Sequence, residues 1–348
     1  MDQAAVRIGI VGAGANTKLR HIPGFAALPG VEIVGVVNSC AASTAKVAEQ
    51  FQIPRQFTSW QELVADPGID AVVIGTWPDL HAEITIAALK GGKHVLTEAR
   101  MAADLPAAKE MHAAALAHPK LIAQLVPSPF GLECGPAVMQ LMQHGYLGTL
   151  REVVVIGADD SFWDYSKPLH PRQIAEKSGI NTHLLGILHE TLLRWIPAPT
   201  RVFAQRTLFE PERPIPEQCR NEQVTVPDSV QVLTEIEGGA RGIYHISCIT
   251  LFGPGKQIHL YGSRGTIKVE FRPDGEYLSM AHAGDAEPKV MQAPEDIRGS
   301  WTVERDFVQS IREGRLIGNT SFAEGVRYME FTAAVVDSAT QNQPVSLS

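Results

Sequence analysis

The chain has 348 residues, of which 45 % are hydrophobic and 20 % are charged, and its net charge at pH 7 is −8. This length exceeds the usual domain size of roughly 100–200 residues, so we expect two domains, each with an ordinary globular core. The acidic balance and the lack of a basic run argue against a nucleic-acid partner, because phosphate contacts need a basic surface.

The sequence shows no targeting segment and no membrane span. The start, MDQAAVRIGIVGAG, lacks a secretory signal pattern, and no window approaches the ~18 apolar residues of a membrane helix, so we expect a cytoplasmic protein with no membrane partner. Cys40, Cys134, Cys219 and Cys248 are scattered without a CxxC pair. Disulfides and structural zinc are therefore not predicted, and no cluster of His, Cys and Glu suggests a catalytic metal.

Short apolar runs alternate with helical patterns through the first third of the chain, which indicates βαβ units and a parallel sheet. The predicted strands are Val6–Val11, Glu32–Val37, Ala71–Gly75, His94–Thr97 and Leu121–Leu125. The predicted helices are Ser43–Phe51, Ala82–Lys90 and Leu105–Ala117, the last with Asp104 as its N-cap.

The two prolines of Val126–Gly131 interrupt this pattern, and we place a domain boundary there, between residues 1–126 and 127–348. Helices are predicted at Pro136–His144, Asn181–Trp195, Val303–Glu313 and Ala323–Thr340. Strands are predicted at Glu152–Ile156, Arg201–Thr207, Ser229–Glu237, Gly242–Thr250, Gln257–Tyr261 and Thr266–Phe271. The tight Gly238-Gly239 turn indicates a hairpin, so the fold class is α/β: a doubly wound parallel sheet, then an α+β domain with a mostly antiparallel sheet.

A glycine turn follows the first strand and precedes a helical segment. Gly12 permits the tight turn, and Gly14 lets the backbone approach a pyrophosphate at a helix N-terminus. In this setting the pattern predicts a Rossmann domain that binds a nicotinamide dinucleotide, although the third glycine of the fingerprint is replaced in the Asn16–Thr17 region.

The end of the second strand bears on the choice of cofactor. Asn38 stands where an acidic residue usually bonds the adenosine ribose, so a 2′-phosphate is not repelled. No Arg or Lys follows in the segment from Ser39 to Ala42 to bind such a phosphate. The sequence therefore leaves NAD and NADP both open.

Four segments together resemble the glucose–fructose oxidoreductase / inositol dehydrogenase (Gfo/Idh/MocA) family. They are VRIGIVGAG (Val6–Gly14), TWPDLH (Thr76–His81), GKHVLTEARMA (Gly92–Ala102) and IHLYGSRGTIKVE (Ile258–Glu270). The resemblance implies an NAD(P)-dependent oxidoreductase that acts on a sugar, cyclitol or similar polyol. It also implies an open second sheet through which homodimers or homotetramers assemble.

Within this resemblance, three residues that usually handle protons are absent. The family's Glu-Lys-Pro motif falls on Glu98-Ala99-Arg100, so alanine replaces the lysine. Counting back from the Arg-Trp pair that ends HLLGILHETLLRW, the family's Asp and His positions hold Leu184 and Leu188. The residues expected to contact the cofactor are Gly12, Gly14, Ala15, Asn16, Asn38, Ser39, Thr76, Trp77, His81 and Glu98.

His183 is our preferred general base, because histidine titrates near neutrality and this one lies one position from the lost Asp. His170 and His189 are the alternatives; on one helix His183 and His189 would lie about 240° apart, so only one could face a cleft. Glu98 or Glu190 would orient the base. Arg100 is too weak a base and would orient the substrate or stabilise an oxyanion. The substrate-binding candidates are Arg172, Asn181, His183 and Trp163.

Three functions remain open at this point. The first is an oxidoreductase that moves hydride between the nicotinamide and a polyol. The second is a cofactor-retaining lyase or glycoside-cleaving enzyme that uses transient oxidation, because a ketone acidifies the adjacent C–H bond. The third is a non-catalytic dinucleotide-binding sensor, which the three absent residues suggest.

Overall fold

The computed structural model describes residues 5–347 of the chain. The chain forms two compact units. The first comprises the chain up to Pro127 together with Thr302–Met329, and the second comprises Ser128–Trp301 together with the chain from Glu330 onward. The expected boundary after residue 126 lies one residue from this division, but the prediction placed residues 302–329 in the second domain.

The strands follow one another along the chain with these bounds: β1 Val6–Val11, β2 Val31–Val37, β3 Arg55–Gln56, β4 Ala71–Ile74, β5 His94–Thr97, β6 Ala123–Leu125, β7 Leu150–Ala158, β8 Pro199–Thr207, β9 Glu212–Ile215, β10 Arg220–Gln223, β11 Ser229–Ile236, β12 Arg241–Ser247, β13 Gly255–Gly262, β14 Gly265–Arg272, β15 Gly275–His282, β16 Lys289–Gln292 and β17 Val345–Ser346. The α-helices are α1 Ile22–Ala26, α2 Ala41–Phe51, α3 Trp60–Ala65, α4 Pro78–Lys90, α5 Leu105–Ala117, α6 Gly135–Gln143, α7 Ala175–Ser178, α8 Leu185–Leu193, α9 Val303–Glu313 and α10 Phe322–Gln341.

The first unit is built on a six-stranded parallel sheet in the order β3-β2-β1-β4-β5-β6. All four residues of β4 are buried, as expected for a parallel strand that is covered on both faces. Asp104 caps α5 by accepting a hydrogen bond from Ala107 N at 2.8 Å, as predicted. The strand order reverses between β1 and β4, which confirms the predicted doubly wound sheet.

Residues 302–329 belong to the first unit because they complete its packing. The ring of Phe307 on α9 meets the ring of Phe25 edge to face, with centroids 6.3 Å apart. Leu125 N donates to Thr320 O at 2.9 Å, next to a bridge between Gln124 and Ser321. These long-range contacts leave no pattern in the local sequence, which is why the prediction missed them.

The second unit is built on a nine-stranded sheet in the order β16-β15-β14-β13-β7-β12-β11-β8-β17. Among its described strands, β7 and β12 pair in parallel and the other pairs are antiparallel. One face carries the core, with Val153, Val155 and Val232 buried, whereas Leu233 and Ile243 on the other face are exposed. The predicted mostly antiparallel sheet is thereby confirmed.

The helix predicted at Asn181–Trp195 is shorter in the structure, where α8 spans Leu185–Leu193. His183 has a φ of 45°, in the left-handed region, and this backbone conformation prevents the helix from starting earlier. The prediction that His183 and His189 share one helix is therefore wrong. Among the described residues, no helix is long and apolar enough to cross a membrane.

Candidate functional site

The loops that follow β1, β4 and β5 all lie at the carboxyl edge of the parallel sheet. They carry Gly12–Asn16, Gly75–Trp77 and Glu98–Arg100, three segments singled out in the sequence. In open α/β sheets this edge binds ligands at the point where the strand order reverses, here between β1 and β4.

Gly12 and Gly75 meet at this point with no room for a side chain. Gly12 has a φ of +82°, and a Cβ built on it would lie 2.8 Å from Thr76 N and 2.9 Å from Gly75 C. A Cβ on Gly75 would lie 2.3 Å from Gly12 O. The two glycines therefore let the loops after β1 and β4 pack directly on each other at the point where the strand order reverses. No role for Gly75 was predicted from the sequence.

The backbone beyond Gly12 is open to a ligand. Gly14 and Ala15 are exposed, and Lys18 N donates to Gly14 O at 3.1 Å, which begins the five-residue π-helical turn Thr17–His21. Asn16 directs its amide into the unit, where Nδ2 donates to Glu98 Oε1 at 2.6 Å. The residues at the missing third glycine therefore tie this turn to the end of β5.

The side chain of Asn38 is engaged within the first unit. Its Oδ1 accepts a hydrogen bond from Ala13 N at 2.7 Å, and its Nδ2 donates to Ser43 O at 3.2 Å. Asn38 thus fixes the glycine turn against the start of α2 and brings no negative charge to the adjoining surface. Ser39 beside it is exposed.

Glu98 is part of a buried acid–imidazole–acid cluster that the sequence did not reveal. His21 Nε2 lies 3.0 Å from Glu98 Oε1, and His21 Nδ1 lies 2.5 Å from Glu304 Oε1 on α9. The His21 side chain is fully buried. A separation of 283 residues between His21 and Glu304 leaves no local sequence signal for this cluster.

The charges of this cluster follow from its hydrogen bonds. Burial alone lowers the pKa of His21, but the hydrogen bonds and charges of Glu304 and Glu98 raise that pKa to about 9. Burial alone raises the pKa of Glu98, but the hydrogen bond and charge of His21 and the hydrogen bond from Asn16 lower it below its usual value. At neutral pH the cluster therefore holds an imidazolium beside an ionised Glu98.

His81 is buried and connects the two loops that follow β4 and β5. Its Nε2 lies 3.1 Å from Thr76 O, and its Nδ1 lies 2.9 Å from Arg100 O. Burial lowers the pKa of His81. We interpret His81, predicted to contact the cofactor, as a residue that positions Thr76 and Arg100 through their backbone. Trp77 is 38 % exposed, and the Arg100 side chain is buried.

In the second unit, His183 is buried. Its Nε2 lies 3.0 Å from Pro227 O and 3.3 Å from Cys248 Sγ, and its ring centroid is 5.5 Å from that of Phe162. A carbonyl oxygen only accepts, so Nε2 carries the hydrogen. Burial raises the pKa of the Cys248 thiol, which keeps it neutral.

The other substrate-binding candidates differ in exposure. Trp163 and Arg172 are exposed, whereas Asn181 is buried and its Nδ2 donates to Ser178 O at 2.7 Å. His170 Nδ1 accepts a hydrogen bond from Arg172 N at 3.1 Å, which caps a short 3-10 turn. The Phe162 ring has centroid distances of 5.5 Å to both His170 and His183, so these two histidines belong to one cluster.

The leucines at the family's Asp and His positions are apolar contacts of the sheet. A Cβ on Gly157 of β7 would lie 2.8 Å from Leu188 Cδ1 and 3.2 Å from Leu184 Cβ. Leu188 is fully buried in the core of the second unit. A leucine side chain has no group that gains or loses a proton, so neither residue can transfer one.

Two of the alternatives predicted from the sequence are excluded by their structural roles. His189 is buried, stacks on Phe331 with centroids 3.6 Å apart, and its Nδ1 lies 2.8 Å from the Tyr244 hydroxyl. Glu190 Oε2 accepts from Ser128 N at 2.9 Å and its Oε1 accepts from Arg194 at 2.7 Å. These contacts hold the core together, which makes His189 a poor base and Glu190 unable to orient His183. Among residues 5–347, no group of three His, Cys, Asp or Glu side chains is arranged to hold a metal ion.

Comparison with known proteins identifies the family. Residues 6–124 match the family described as "Oxidoreductase family, NAD-binding Rossmann fold", and residues 137–268 match the GFO/IDH/MocA C-terminal domain. The chain belongs to the Gfo/Idh/MocA family of NAD(P)-dependent dehydrogenases and reductases. The predictions of an oxidoreductase and of an NAD(P) cofactor are thereby confirmed.

Individual relatives match the chain either over part of its length or at low sequence identity. The 1,5-anhydro-D-fructose reductase of Ensifer adhaerens is 38 % identical over 31 % of this chain, and the aligned segment spans only 32 % of that protein. The levoglucosan dehydrogenase of Pseudarthrobacter phenanthrenivorans is 24 % identical over 98 % of both chains.

Solved structures share the whole fold. A levoglucosan dehydrogenase in complex with NADH and L-sorbose superposes with a TM-score of 0.88 at 22 % identity and covers 99 % of both chains. An oxidoreductase domain protein from Kribbella flavida superposes with a TM-score of 0.89 at 23 % identity and covers 99 % of this chain and 100 % of that chain. These similarities support the fold.

Proposed function

We propose that this protein is an NAD(P)-dependent oxidoreductase that moves hydride between the nicotinamide ring and a hydroxyl-bearing carbon of a sugar, cyclitol or glycoside-like polyol. The observation that carries the proposal is the exposed glycine turn after β1, which packs on Gly75 at the point where the strand order reverses, with Glu98 at the end of β5. The names of relatives that act on anhydro sugars support the substrate class.

Residues of the first unit would hold the cofactor. The turn at Gly12, Gly14 and Ala15 would lie against the pyrophosphate, with Gly14 and Ala15 exposed, while the N–H of Gly12 is bonded to Val37 O and that of Gly14 to Gly12 O. Asn38 and Ser39 lie at the strand end where the adenosine ribose binds in such domains. When bound, the nicotinamide supplies the carbon that accepts or donates the hydride.

The chain itself must handle the hydroxyl proton. With Ala99, Leu184 and Leu188 at the family's positions, we assign this role to His183, whose Nε2 is bonded to Pro227 O. Arg100 would orient the substrate or stabilise an oxyanion. Arg172, Asn181 and Trp163 are proposed to bind the polyol, Trp163 by packing its face on sugar C–H groups.

A substrate screen tests the proposal. The protein is incubated with a panel of sugars, cyclitols and glycosides and with NAD or NADP, while absorbance at the reduced nicotinamide band and product formation are followed together. We expect absorbance and product to rise in a 1:1 ratio for at least one polyol. Product without a net absorbance change would instead support cofactor-retaining elimination or glycoside cleavage, and cofactor binding without any product would support a sensor.

We also propose that the chain assembles into a homodimer or homotetramer through the nine-stranded sheet. Phe203, Leu233, Ile243 and Val154 are register partners across β8, β11, β12 and β7. Leu233 is 56 % exposed and Ile243 is 50 % exposed. This apolar row lies on the face opposite the core, where a second sheet could cover it.

A further inference from the structure

The carboxylate of Glu98 is fixed by three donors. Its Oε1 accepts from Asn16 Nδ2 at 2.6 Å and from His21 Nε2 at 3.0 Å, and its Oε2 accepts from Ala99 N at 3.2 Å. These donors come from the turn after β1, the π-helical turn and the chain beyond β5. A carboxylate held from three directions keeps one orientation whether or not a ligand is present.

Gly24 leaves space for Glu304, the second carboxylate of this cluster. A Cβ on Gly24 would lie 2.8 Å from Glu304 Cγ and 2.9 Å from Glu304 Cδ. The absent side chain at Gly24 therefore lets the Glu304 carboxylate reach His21 Nδ1. Because both ring nitrogens face carboxylates, both must donate, and the ring between them is a cation. The imidazolium in turn stabilises the charge on Glu98.

The position of Glu98 determines which part of the cofactor it faces. A doubly wound sheet consists of two mononucleotide-binding halves, and Asn38 at the end of β2 belongs to the adenosine half. β4 and β5 lie on the other side of β1, in the nicotinamide half. The Glu98 side chain is 14 % exposed, so its charge reaches the surface at this edge.

We propose that Glu98, held in place by His21, selects the redox state of the bound dinucleotide, so that the oxidised form is bound more tightly than it would be without this carboxylate. The oxidised nicotinamide ring is a cation and the reduced ring is neutral, so a fixed negative charge nearby stabilises only the oxidised form. His21 acts as a positioning residue. The proposal rests on the proposed function.

A substitution of Glu98 isolates this effect. Glu98→Gln keeps the shape and an oxygen acceptor for Asn16 and His21 but removes the charge. The buried guanidinium of Arg100, two residues further along the chain, is present in parent and variant alike and cancels from the comparison. Because Glu98 helps to raise the pKa of His21, the difference in the NAD+ to NADH affinity ratio between parent and variant reports the loss of the Glu98 charge together with any loss of the proton on His21.

The experiment measures dissociation constants for NAD+ and NADH by calorimetry, and for the phosphorylated pair if that binds instead. For Glu98→Gln we expect the constant for the oxidised form to rise about tenfold and that for the reduced form to stay within about twofold. A tenfold change in this ratio corresponds to about 30 mV in the two-electron potential of the bound cofactor. Glu98→Asp keeps the charge on a shorter side chain. Its ratio of the two dissociation constants should therefore lie between that of the parent and that of Glu98→Gln.

Two further variants complete the test. Glu83→Gln removes one exposed carboxylate from the same unit and should leave the ratio unchanged, which controls for net charge. His21→Gln removes the imidazolium that stabilises and orients the Glu98 carboxylate. A shift of the ratio in the same direction as in Glu98→Gln supports the positioning role of His21, whereas a shift further toward the oxidised form would show that His21 only screens the Glu98 charge. If thermal melting shows that this variant does not fold, the Glu98 variants decide alone.

The outcomes separate this proposal from the proposed function. Equal weakening of both redox forms in Glu98→Gln, or no change in either, would overturn the selective role of Glu98 while leaving the oxidoreductase assignment intact. A parent protein that binds neither NAD nor NADP would overturn the proposed function itself.

Discussion

Two glycines of the first unit adopt the same left-handed backbone conformation in different surroundings. Gly12 has a φ of +82°, and a Cβ placed on it would meet backbone atoms of the next loop within 3 Å, whereas Gly92 has a φ of +75° and nothing within 4 Å of such a carbon. Alanine at either position incurs the same left-handed strain, on the order of 1–2 kcal/mol. Only at Gly12 does the added carbon also displace the neighbouring loop.

We therefore expect Gly12→Ala to lose dinucleotide binding and Gly92→Ala to retain it. Calorimetric titration with NAD and NADP measures the binding, and urea denaturation checks that both variants are folded. Parent-like affinity in folded Gly12→Ala would show that the cofactor does not use this turn.

The proton-transfer assignment is tested at His183. Asparagine tolerates the left-handed φ of 45° and is similar in size, so His183→Asn removes the titrating ring with little change to the backbone. A positioned base contributes 10²–10⁴-fold, so we expect turnover to fall by about two orders of magnitude or more while the cofactor dissociation constant changes by less than about threefold.

His170→Ala is the matched control, because His170 shares the Phe162 contact with His183. Steady-state kinetics on the polyol found by the screen measure both variants. If His170→Ala is inactive and His183→Asn is not, the base belongs at His170.

The residues that the sequence could predict are those with a local signature. Gly12 and Gly14 follow a strand directly, and Glu98 lies in a recognisable motif, so the sequence singled out all three as candidates. His21 and Glu304 were not singled out, because a buried ion pair between distant segments has no periodicity or spacing. His189 could be given only as an alternative base, since a core histidine and a catalytic one look alike in a sequence.

At the scale of elements, the cluster of His21, Glu98 and Glu304 joins the π-helical turn, β5 and α9. The pKa of His21 rises from an ordinary 6.5 to about 9 on folding. A raised pKa contributes stability that is complete below pH 6.5 and is lost as the pH rises through about 9. A shift of this size corresponds to about 3 kcal/mol.

We expect the free energy of unfolding of the parent to fall between pH 6.5 and pH 9.5 by more than that of Glu304→Gln. The variant removes one of the two carboxylates that raise the pKa of His21, while the surface groups titrate alike in both proteins. Urea denaturation across this range measures the difference, and parallel pH profiles would contradict it.

Element boundaries show where local propensity was overridden. The apolar run after His183 predicted a helix from Asn181, but α8 begins at Leu185. The left-handed residue at His183 and the bond from Asn181 to Ser178 O hold this segment in a turn. Strands β15 and β16 were not predicted from the sequence. β15 pairs with β14 and β16 pairs with β15, and this pairing stabilises an extended backbone that the local sequences do not indicate.

At the scale of the whole molecule, the nine-stranded sheet presents the apolar row of Phe203, Leu233, Ile243 and Val154 on its open face. A contiguous exposed apolar surface is typical of an association site. We expect the double variant Leu233→Glu/Ile243→Glu to be a folded monomer, because two buried carboxylates at an interface cost several kcal/mol. Light scattering measures the oligomeric state.

Val290→Glu provides the control, since Val290 is an exposed apolar residue of β16 at the far edge of the same sheet. It should keep the assembly of the parent. A parent that is already monomeric, or a double variant that keeps its oligomeric state, would show that the open face serves another purpose.

The first unit is built from two segments that lie far apart in the chain, and this affects how it forms during synthesis on the ribosome. Its last segment, Thr302–Met329, begins 175 residues after Pro127 (302 − 127), which takes roughly 10–35 s at common translation rates. During that interval the six strands of the parallel sheet have emerged, but Glu304 and Phe307 have not. A nascent chain of this length leaves Phe25 and His21 uncovered, so the cofactor-binding half of the protein matures only after most of the other half has been made.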